Sequence, residues 1–300
     1  MPMKKFILRC GLFLLPMVVL LAGAELLLRS LPNSYRQKEQ WMQQNAGRVE
    51  VLLLGNSHGL FGLRPDAFGT AAYNLCNVSQ TFEYDEWLLQ RFLPDAARLK
   101  TVVLVADNSN FFDPPLEQTE WFRCIYYRLY MHYPKHSLLS RYGFELASLS
   151  AAREKLMRGG DDSCDSLGWN SSYVAETRNP ADLTDAAAAR SVERHRCRDW
   201  QTAAANASTL QRIARLCRRH GVQLVLVQAP VARAYINKVD RRQLDFVRRT
   251  CRATGALVVD ASADARFSEA DFYDADHLNT DGAAKWSRVV ADAVDSLCVE

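Results

Sequence analysis

Two short blocks of the sequence hold residue types that could together carry out nucleophilic catalysis. The first block reads GNSHG at residues 55–59, and the second reads DADHLN at residues 274–279. A serine hydroxyl becomes a nucleophile when an imidazole takes its proton and a carboxylate fixes the tautomer of that imidazole. Ser57, His277 and Asp274 supply these three groups. A spacing of three residues lets one loop deliver both the acid and the base.

The segments around these blocks alternate between strand and helix patterns. Continuous apolar runs cover residues 49–54, 101–106, 222–228 and 256–259, which is typical of strands buried on both faces. Helical stripes lie between and after them, and the last begins beside Thr280, a candidate N-cap. Such alternation predicts an α/β fold with a mostly parallel sheet. Ligands bind at the carboxyl ends of strands in such sheets, and Ser57 follows the first strand there.

The first block also fits G-x-S-x-G, the nucleophile turn of α/β-hydrolases, but three fixed positions make a weak signal. The two blocks together resemble the SGNH/GDSL hydrolase superfamily over about residues 49–110 and 205–297. Residues 25–42 are similar to membrane-anchored members, including the D-alanyl-lipoteichoic-acid transfer protein and polysaccharide O-acetyltransferase families. The resemblance implies a three-layer flavodoxin-like sheet, with Ser57 as nucleophile, His277 as base and Asp274 as its orienting acid.

The donors that would stabilise an oxyanion depart from the superfamily pattern. The second superfamily block supplies a glycine N–H, whereas residues 74–80 contain no glycine. Ser79 and Asn77 are therefore the candidates there. The third block places an asparagine after a strand, and Asn108 is its counterpart. Since loss of one such donor costs about 10²–10³ in rate, a slow enzyme or a binding relative is the alternative.

The N-terminus holds an apolar segment that precedes the catalytic blocks. Three basic residues lead into an uncharged run from Cys10 to Ala24, which resumes after Glu25 and ends at Arg29. A bilayer span needs about 20 apolar residues, and a cleaved signal needs about 7–15. Residues 22–24 resemble a cleavage site, but the resumed pattern favours an uncleaved anchor. The basic end then stays in the cytoplasm, and the rest lies on the periplasmic or extracellular side.

The domain prediction has three parts. Residues 1–30 form the signal anchor, residues 31–48 form a linker, and residues 49–300 form the hydrolase-like domain. An insertion at about 111–200 interrupts the alternation; it is aromatic at first and then polar. It is either a lid or substrate wall, or a helical cap with its own small core.

Composition excludes several other classes of protein. The 300 residues carry a net charge of only +3, which does not suggest a nucleic-acid partner. Neither C-x-x-C nor H-E-x-x-H occurs, so we expect no metal site and no cofactor. Cys164 and Cys197 are the best disulfide candidates. His195 is interpreted as a surface or capping residue.

The sequence thus predicts a serine esterase or O-acyltransferase, acting on a cell-envelope or exported carbohydrate through an acyl-serine intermediate. The expected partners are a carbohydrate or acylated polymer, the inner membrane, and a membrane-bound acyltransferase. The alternative is a non-catalytic subunit that binds polysaccharide or docks such an acyltransferase.

Overall fold

The computed structural model describes residues 2–134, 143–160 and 164–297. Within it the chain divides into two compact units. One unit comprises Met1–Glu39 and Glu117–Ser163, and the other comprises Gln40–Leu116 and Cys164–Glu300. The predicted boundaries at residues 30 and 48 stay predictions.

The helices and strands occur in the following order along the chain. The first half contains α1 (Pro2–Ser30), α2 (Ser34–Asn45), β1 (Val51–Leu54), α3 (Ser57–Gly62), β2 (Ala72–Asn74), α4 (Phe82–Phe92), β3 (Thr101–Val105), α5 (Asn108–Phe112), α6 (Leu116–Thr119) and α7 (Trp121–Tyr130). The second half contains α8 (Leu149–Arg158), α9 (Asp185–Arg194), α10 (Trp200–Arg219), β4 (Gln223–Gln228), α11 (Arg233–Ile236), α12 (Arg241–Arg252), β5 (Leu257–Asp260) and α13 (Thr280–Leu297). Short 3₁₀ turns connect several of them.

The larger unit is built on a five-stranded sheet. The strand order is β2-β1-β3-β4-β5, and every neighbouring pair is parallel. This order is that of flavodoxin-like folds, in which ligands bind near the β1/β3 switch point. The α/β fold with a parallel sheet is therefore confirmed.

The sequence pattern placed four of the five strands within one or two residues of their ends. The strand that it missed is β2, whose three residues Ala72–Asn74 are too few to show a periodicity. All residues of β1 and β3 are buried, as the continuous apolar runs predict. Alternate residues of these strands lie in one hydrophobic cluster with Trp286 and Val290 of α13, both 0% exposed; they are Val51, Leu53, Val103 and Val105.

The last helix begins one residue earlier than its predicted cap implies. The Asn279 side chain, not that of Thr280, accepts the backbone N–H groups of Asp281 and Gly282, each at 3.0 Å. Asn279 Nδ2 also donates to Ala270 O at 2.7 Å. The loop that carries His277 is thus fixed to the helix that follows it.

Residues 165–170 cover the β2 edge of the sheet. The Asn74 N–H donates to Leu167 O at 2.9 Å. Gly168 has φ +84°, and a Cβ there would lie 2.1 Å from Asn74 O, so the close approach requires glycine. This part of the predicted insertion is therefore integral to the sheet.

The smaller unit holds a buried ion pair and the N-terminal helix. Lys155 Nζ lies 2.7 Å from Glu145 Oε2, with both side chains almost fully buried. Glu25, which interrupts the apolar run of α1, accepts the backbone N–H groups of Glu145 and Leu146, each at 3.1 Å. It also pairs with Arg29 at 2.6 Å.

Cys10, Cys197, Cys217 and Cys251 have free thiols. The prediction that Cys197 is a disulfide candidate was therefore wrong. Cys217 and Cys251 are buried in the core, and burial raises the pKa of each thiol to about 12.

Candidate active site

A sharp turn between β1 and α3 presents Ser57. Gly55 has φ +131°, and a Cβ there would lie 2.6 Å from Val105 Cβ, so only glycine fits the turn. Asn56 caps α3, since its Oδ1 accepts the His58 N–H at 3.0 Å. Ser57 is the first residue of α3 and is partly exposed.

The structure brings Ser57, His277 and Asp274 together. Ser57 Oγ lies 2.9 Å from His277 Nε2. His277 Nδ1 lies 3.0 and 3.1 Å from the two carboxylate oxygens of Asp274. These distances suit a carboxylate that keeps the proton on Nδ1 and leaves Nε2 to accept one from the hydroxyl. The arrangement can therefore support serine nucleophilic catalysis.

Backbone hydrogen bonds hold Asp274 in place. Its Oδ1 accepts the N–H groups of Asp276 at 3.0 Å and of His277 at 2.8 Å. The Tyr273 N–H donates to His277 O at 2.9 Å and closes the loop. The three-residue spacing between acid and base thus forms a rigid turn in which the carboxylate and the imidazole face each other.

Ser79 lies in a backbone conformation that glycine favours. Its φ is +56°, in the left-handed region. The structure therefore places Ser79 in the backbone geometry expected of a glycine in that block. The role of its N–H as an oxyanion donor stays a prediction.

The two asparagine candidates have partners of their own. Asn77 is 1% exposed, and its Nδ2 donates to Gln80 Oε1 at 2.8 Å. Asn108 Nδ2 donates to His195 O at 3.0 Å, and Asn108 Oδ1 accepts from Gln243 Nε2 at 3.1 Å. Both amides therefore brace the loops around the site, and their oxyanion roles stay predictions.

A buried ionic cluster that sequence reasoning missed lies next to the three central residues. It alternates carboxylates and imidazoles, and its members are Asp107, His58, Asp276, His195 and Asp113. His195 is 8% exposed, so its interpretation as a surface residue was wrong, but it does cap the C-terminus of α9, as the alternative interpretation predicts. The only signal in the sequence was the Asp-rich composition of the loops after the strands.

The electrostatics of the cluster favour two charged imidazoles. Burial lowers the pKa of His58, but Asp107 and Asp276 outweigh burial and raise it to about 10. Burial also lowers the pKa of His195, but Asp113 and Asp276 outweigh burial and raise it to about 9. Burial likewise opposes ionisation of Asp107, yet His58 holds the Asp107 pKa at about 2. Both histidines are therefore cations at neutral pH.

Asp85 is a buried acid outside this cluster and lies next to the Ser57 turn. Burial raises the pKa of Asp85 to about 7, although hydrogen bonds from Gln80 and from the backbone of Gly55 oppose the shift. Gln80 Nε2 donates to Asp85 Oδ1 at 2.6 Å. Asp85 therefore links the Ser57 turn to the loop that carries Ser79.

Three aromatic rings stack beside the imidazole of His277. Tyr173 lies between Phe61 and Tyr273, with ring centroids 3.9 and 4.1 Å apart and nearly parallel planes. The His277 ring meets Tyr173 edge-on at 5.6 Å. Tyr173 comes from the predicted insertion, so that segment forms part of the wall of the site.

One group of side chains has donors close enough for a metal ion. His58, Asp276 and His277 each offer a ligand atom within 4.8 Å of the others. However, His277 is held between Ser57 and Asp274, and His58 faces a carboxylate at each ring nitrogen. A metal would have to break these contacts, and we assign no metal site.

The chain is similar to several solved structures at low sequence identity. No family model matches the chain, and no curated protein matches it. Among solved structures, it is similar to a GDSL-like lipase from Bacteroides thetaiotaomicron VPI-5482, with 10% identity and a TM-score of 0.43 over 88% of this chain and 99% of that one. A protein described as an acylhydrolase from Bacteroides fragilis NCTC 9343 has 10% identity and a TM-score of 0.43, over 86% and 95%.

A third similar structure is described as a platelet activating factor from Streptococcus pneumonia. It has 11% identity and a TM-score of 0.41, over 92% of this chain and 97% of that one. At these identities and scores the neighbours carry no information about the activity of this chain, so function must be argued from its own site.

Proposed function

We propose that this chain is a serine-dependent esterase or O-acyltransferase of the SGNH/GDSL type. The observation that carries the proposal is that His277 lies at hydrogen-bond distance from both Ser57 Oγ and Asp274. In this proposal the acyl group is acetyl, and the substrate is a cell-envelope or exported carbohydrate.

The first half of the reaction forms an acyl-enzyme. His277 Nε2 takes the Ser57 hydroxyl proton as Oγ attacks the ester carbonyl carbon, and Asp274 stabilises the imidazolium that results. The Ser79 N–H is our candidate donor to the oxyanion of the tetrahedral intermediate. As the intermediate collapses, the ester C–O bond breaks, and His277 gives its proton to the departing alcohol.

The second half releases the acyl group. Water or a sugar hydroxyl loses its proton to His277 Nε2 and attacks the acyl carbon. The bond to Ser57 Oγ breaks, and Oγ regains the proton from His277. Water yields a hydrolase, and a sugar hydroxyl yields a transferase, with the same residues in the same roles.

A direct test uses the full-length protein in detergent. Ser57→Ala should abolish labelling by a fluorophosphonate probe and lower hydrolysis of p-nitrophenyl acetate by at least about 10³-fold. Ser208→Ala, which removes an exposed hydroxyl on α10, is the matched control and should leave both unchanged. Labelling of Ser57→Ala at the wild-type rate would remove Ser57 from the mechanism. Mass spectrometry of products formed with added sugar acceptors then separates transfer from hydrolysis.

The aromatic stack supports a carbohydrate substrate. The apolar C–H face of a pyranose packs on aromatic rings, and Tyr273 is the outer ring of a stack adjoining His277. Tyr273→Ala should raise KM for acetylated oligosaccharides about tenfold, while leaving p-nitrophenyl acetate hydrolysis nearly unchanged. Tyr273→Phe should behave as wild type. Equal losses on both substrates would speak against a sugar-binding role.

We also propose that α1 anchors the protein as a single, uncleaved span. Its segment Met3–Ser30 is long and apolar enough to cross a membrane, with a mean hydropathy of 2.3. The helix continues through the candidate cleavage site at residues 22–24, and Glu25 and Arg29 are then held within the smaller unit. Retention of an N-terminal tag on membranes after alkaline washing is expected, and release of a shortened body would refute the proposal.

Exposed apolar side chains elsewhere in the smaller unit support this anchoring. Phe144, Leu149 and Met157 are 51%, 73% and 75% exposed, in a segment that packs against the end of α1. Such residues suit the interfacial region of a bilayer.

A further inference from the structure

The buried cluster next to the active-site residues poses an electrostatic problem for the proposed mechanism. His277 Nδ1 faces two carboxylates, since Asp274 lies at 3.0 Å and Asp276 Oδ1 lies at 3.7 Å. A second carboxylate at that distance competes with Asp274 for the Nδ1 proton of His277, whose position determines whether Nε2 can serve Ser57. Some other feature must offset the charge of Asp276.

Asp276 is placed between two imidazoles. It is 4% exposed, and its Oδ2 is buried with no hydrogen bond among the described residues. That oxygen lies 3.5 Å from His195 Nε2 and 3.9 Å from His58 Nε2. Solvent therefore provides little screening of Asp276, and the two histidines are the nearby cations.

Each imidazole is held by a second carboxylate on its other nitrogen. His58 Nδ1 contacts Asp107, and His195 Nδ1 lies 2.7 Å from Asp113. These carboxylates fix the ring orientations, so that each Nε2 faces Asp276. Among the described residues, the charged groups of this cluster around Asp276 and His277 are His58, His195, Asp107, Asp113 and Asp274, with the buried Tyr235 hydroxyl nearby.

We propose that His58 and His195 are positioning residues for the acyl-transfer reaction, because they hold the Asp276 carboxylate between them and leave Asp274 as the dominant partner of His277. This inference rests on the proposed function. It assigns a role to His195, which the insertion brings into the active site. It also explains how an acid next to the base in sequence can be tolerated there.

The test is the pH dependence of kcat/KM for p-nitrophenyl acetate, with the full-length protein in detergent. In His195→Gln, and likewise in His58→Gln, Asp276 loses one compensating cation. The acidic limb of the profile should move up by about one pH unit, so that activity falls about tenfold at pH 6 and stays within about threefold at the alkaline plateau. His220→Gln, at an exposed histidine on the end of α10, is the matched control.

Removing the negative charge of Asp276 should shift the acidic limb of the pH profile in the opposite direction. Asp276→Asn keeps the shape of the side chain, and its acidic limb should move to lower pH. Adding Asp276→Asn to His195→Gln should restore the profile toward wild type. Because Asp276→Asn leaves both imidazoles in place, it tests the proposal even if a histidine variant fails to fold.

The outcomes separate this inference from the proposed function. If Ser57→Ala retains wild-type activity and labelling, the proposed function fails. If Ser57→Ala is inactive but the histidine and Asp276 variants change kcat/KM by the same factor at every pH, the positioning role is overturned and the cluster is structural. Opposite shifts with mutual rescue are the expected result.

Discussion

Asn56 should be the side chain whose loss most loosens the Ser57 turn. Its Oδ1 caps α3, and its Nδ2 is within reach of Ser109 Oγ at 2.8 Å, Asn110 Oδ1 at 3.0 Å and Asp107 Oδ1 at 3.3 Å. One buried amide therefore ties the end of β1 to the segment that follows β3. Substitutions of Asn56 can separate the stability that comes from the cap from the stability that comes from the Nδ2 hydrogen bonds.

Two substitutions separate the cap from the cross-link. Asn56→Ser keeps a capping oxygen and loses the donors, whereas Asn56→Ala loses both. Two buried hydrogen bonds contribute about 1 kcal/mol each, and the cap contributes about 1 kcal/mol. We expect destabilisation of about 2 kcal/mol for the serine variant and about 3 kcal/mol for the alanine variant.

Asn56→Asp adds a dependence on pH. It keeps the cap but places a carboxyl oxygen about 3.3 Å from Asp107 Oδ1. Two charges at that distance would repel by about 5 kcal/mol at an effective dielectric of about 20, so the new carboxyl group takes up a proton instead. Its pKa is then higher in the folded than in the unfolded state. The variant should be close to wild type at low pH and lose stability as pH rises.

The assay is urea unfolding of the full-length protein in detergent at pH 5.5 and pH 8.5, with the midpoint compared at constant slope. Asn179→Asp is the matched control, because Asn179 is exposed and its side chain caps a turn by accepting the Ala181 N–H. It should change stability by less than about 0.5 kcal/mol at both pH values. An Asn56→Asp cost that does not vary with pH would refute the reasoning.

Three further predictions follow from the same structure. Ser79→Gly should raise the urea midpoint slightly, because glycine adopts the left-handed backbone conformation of this position without strain. It should keep kcat/KM within about threefold, because the backbone N–H is retained. A loss of about 10²-fold would mean that the Ser79 hydroxyl, not the N–H, donates to the oxyanion. The unfolding free energy should fall as pH rises above about 6.5, because the folded pKa values of His58 and His195 are about 10 and about 9. The stabilisation from the two charged imidazoles is complete below the unfolded pKa of about 6.5 and is lost as pH rises through the folded values. A urea midpoint that does not change with pH would contradict this prediction. Gly168→Ala should cost more than about 3 kcal/mol, and Gly69→Ala, in open space, less than about 0.5 kcal/mol by the same urea assay.

Local sequence patterns were sufficient to predict the strands with continuous apolar runs and the pairing of Asp274 with His277. Residues 101–106 are apolar throughout because β3 is covered on both faces, and that pattern is visible without the fold. The acid and base of the site are three residues apart, so their pairing is also a local matter. The cap of α13 was wrong by one residue, because Asn279 and Thr280 are both good caps and only the backbone geometry selects one.

The buried cluster could not be predicted in the same way. His195 meets Asp276 and Asp113 only because α9 and the loops after β3 and β5 converge at one end of the sheet. His195 and Asp276 occur in polar stretches of sequence, and Asp113 follows two phenylalanines. For charged residues of these types an exposed position is the ordinary expectation. Burial of such groups depends on partners distant in the chain, and no periodicity records it.

The segment between Cys164 and Asp199 bears on how freely this fold can change in length. Insertions are commonly thought of as modules that can be gained or removed without harm to the host domain. Here the segment gives Leu167 to the sheet edge, Tyr173 to the ring stack and His195 to the Asp276 carboxylate. A variant with this segment shortened would lose all three contacts at once, so the segment cannot be removed without damage to both the sheet edge and the active site.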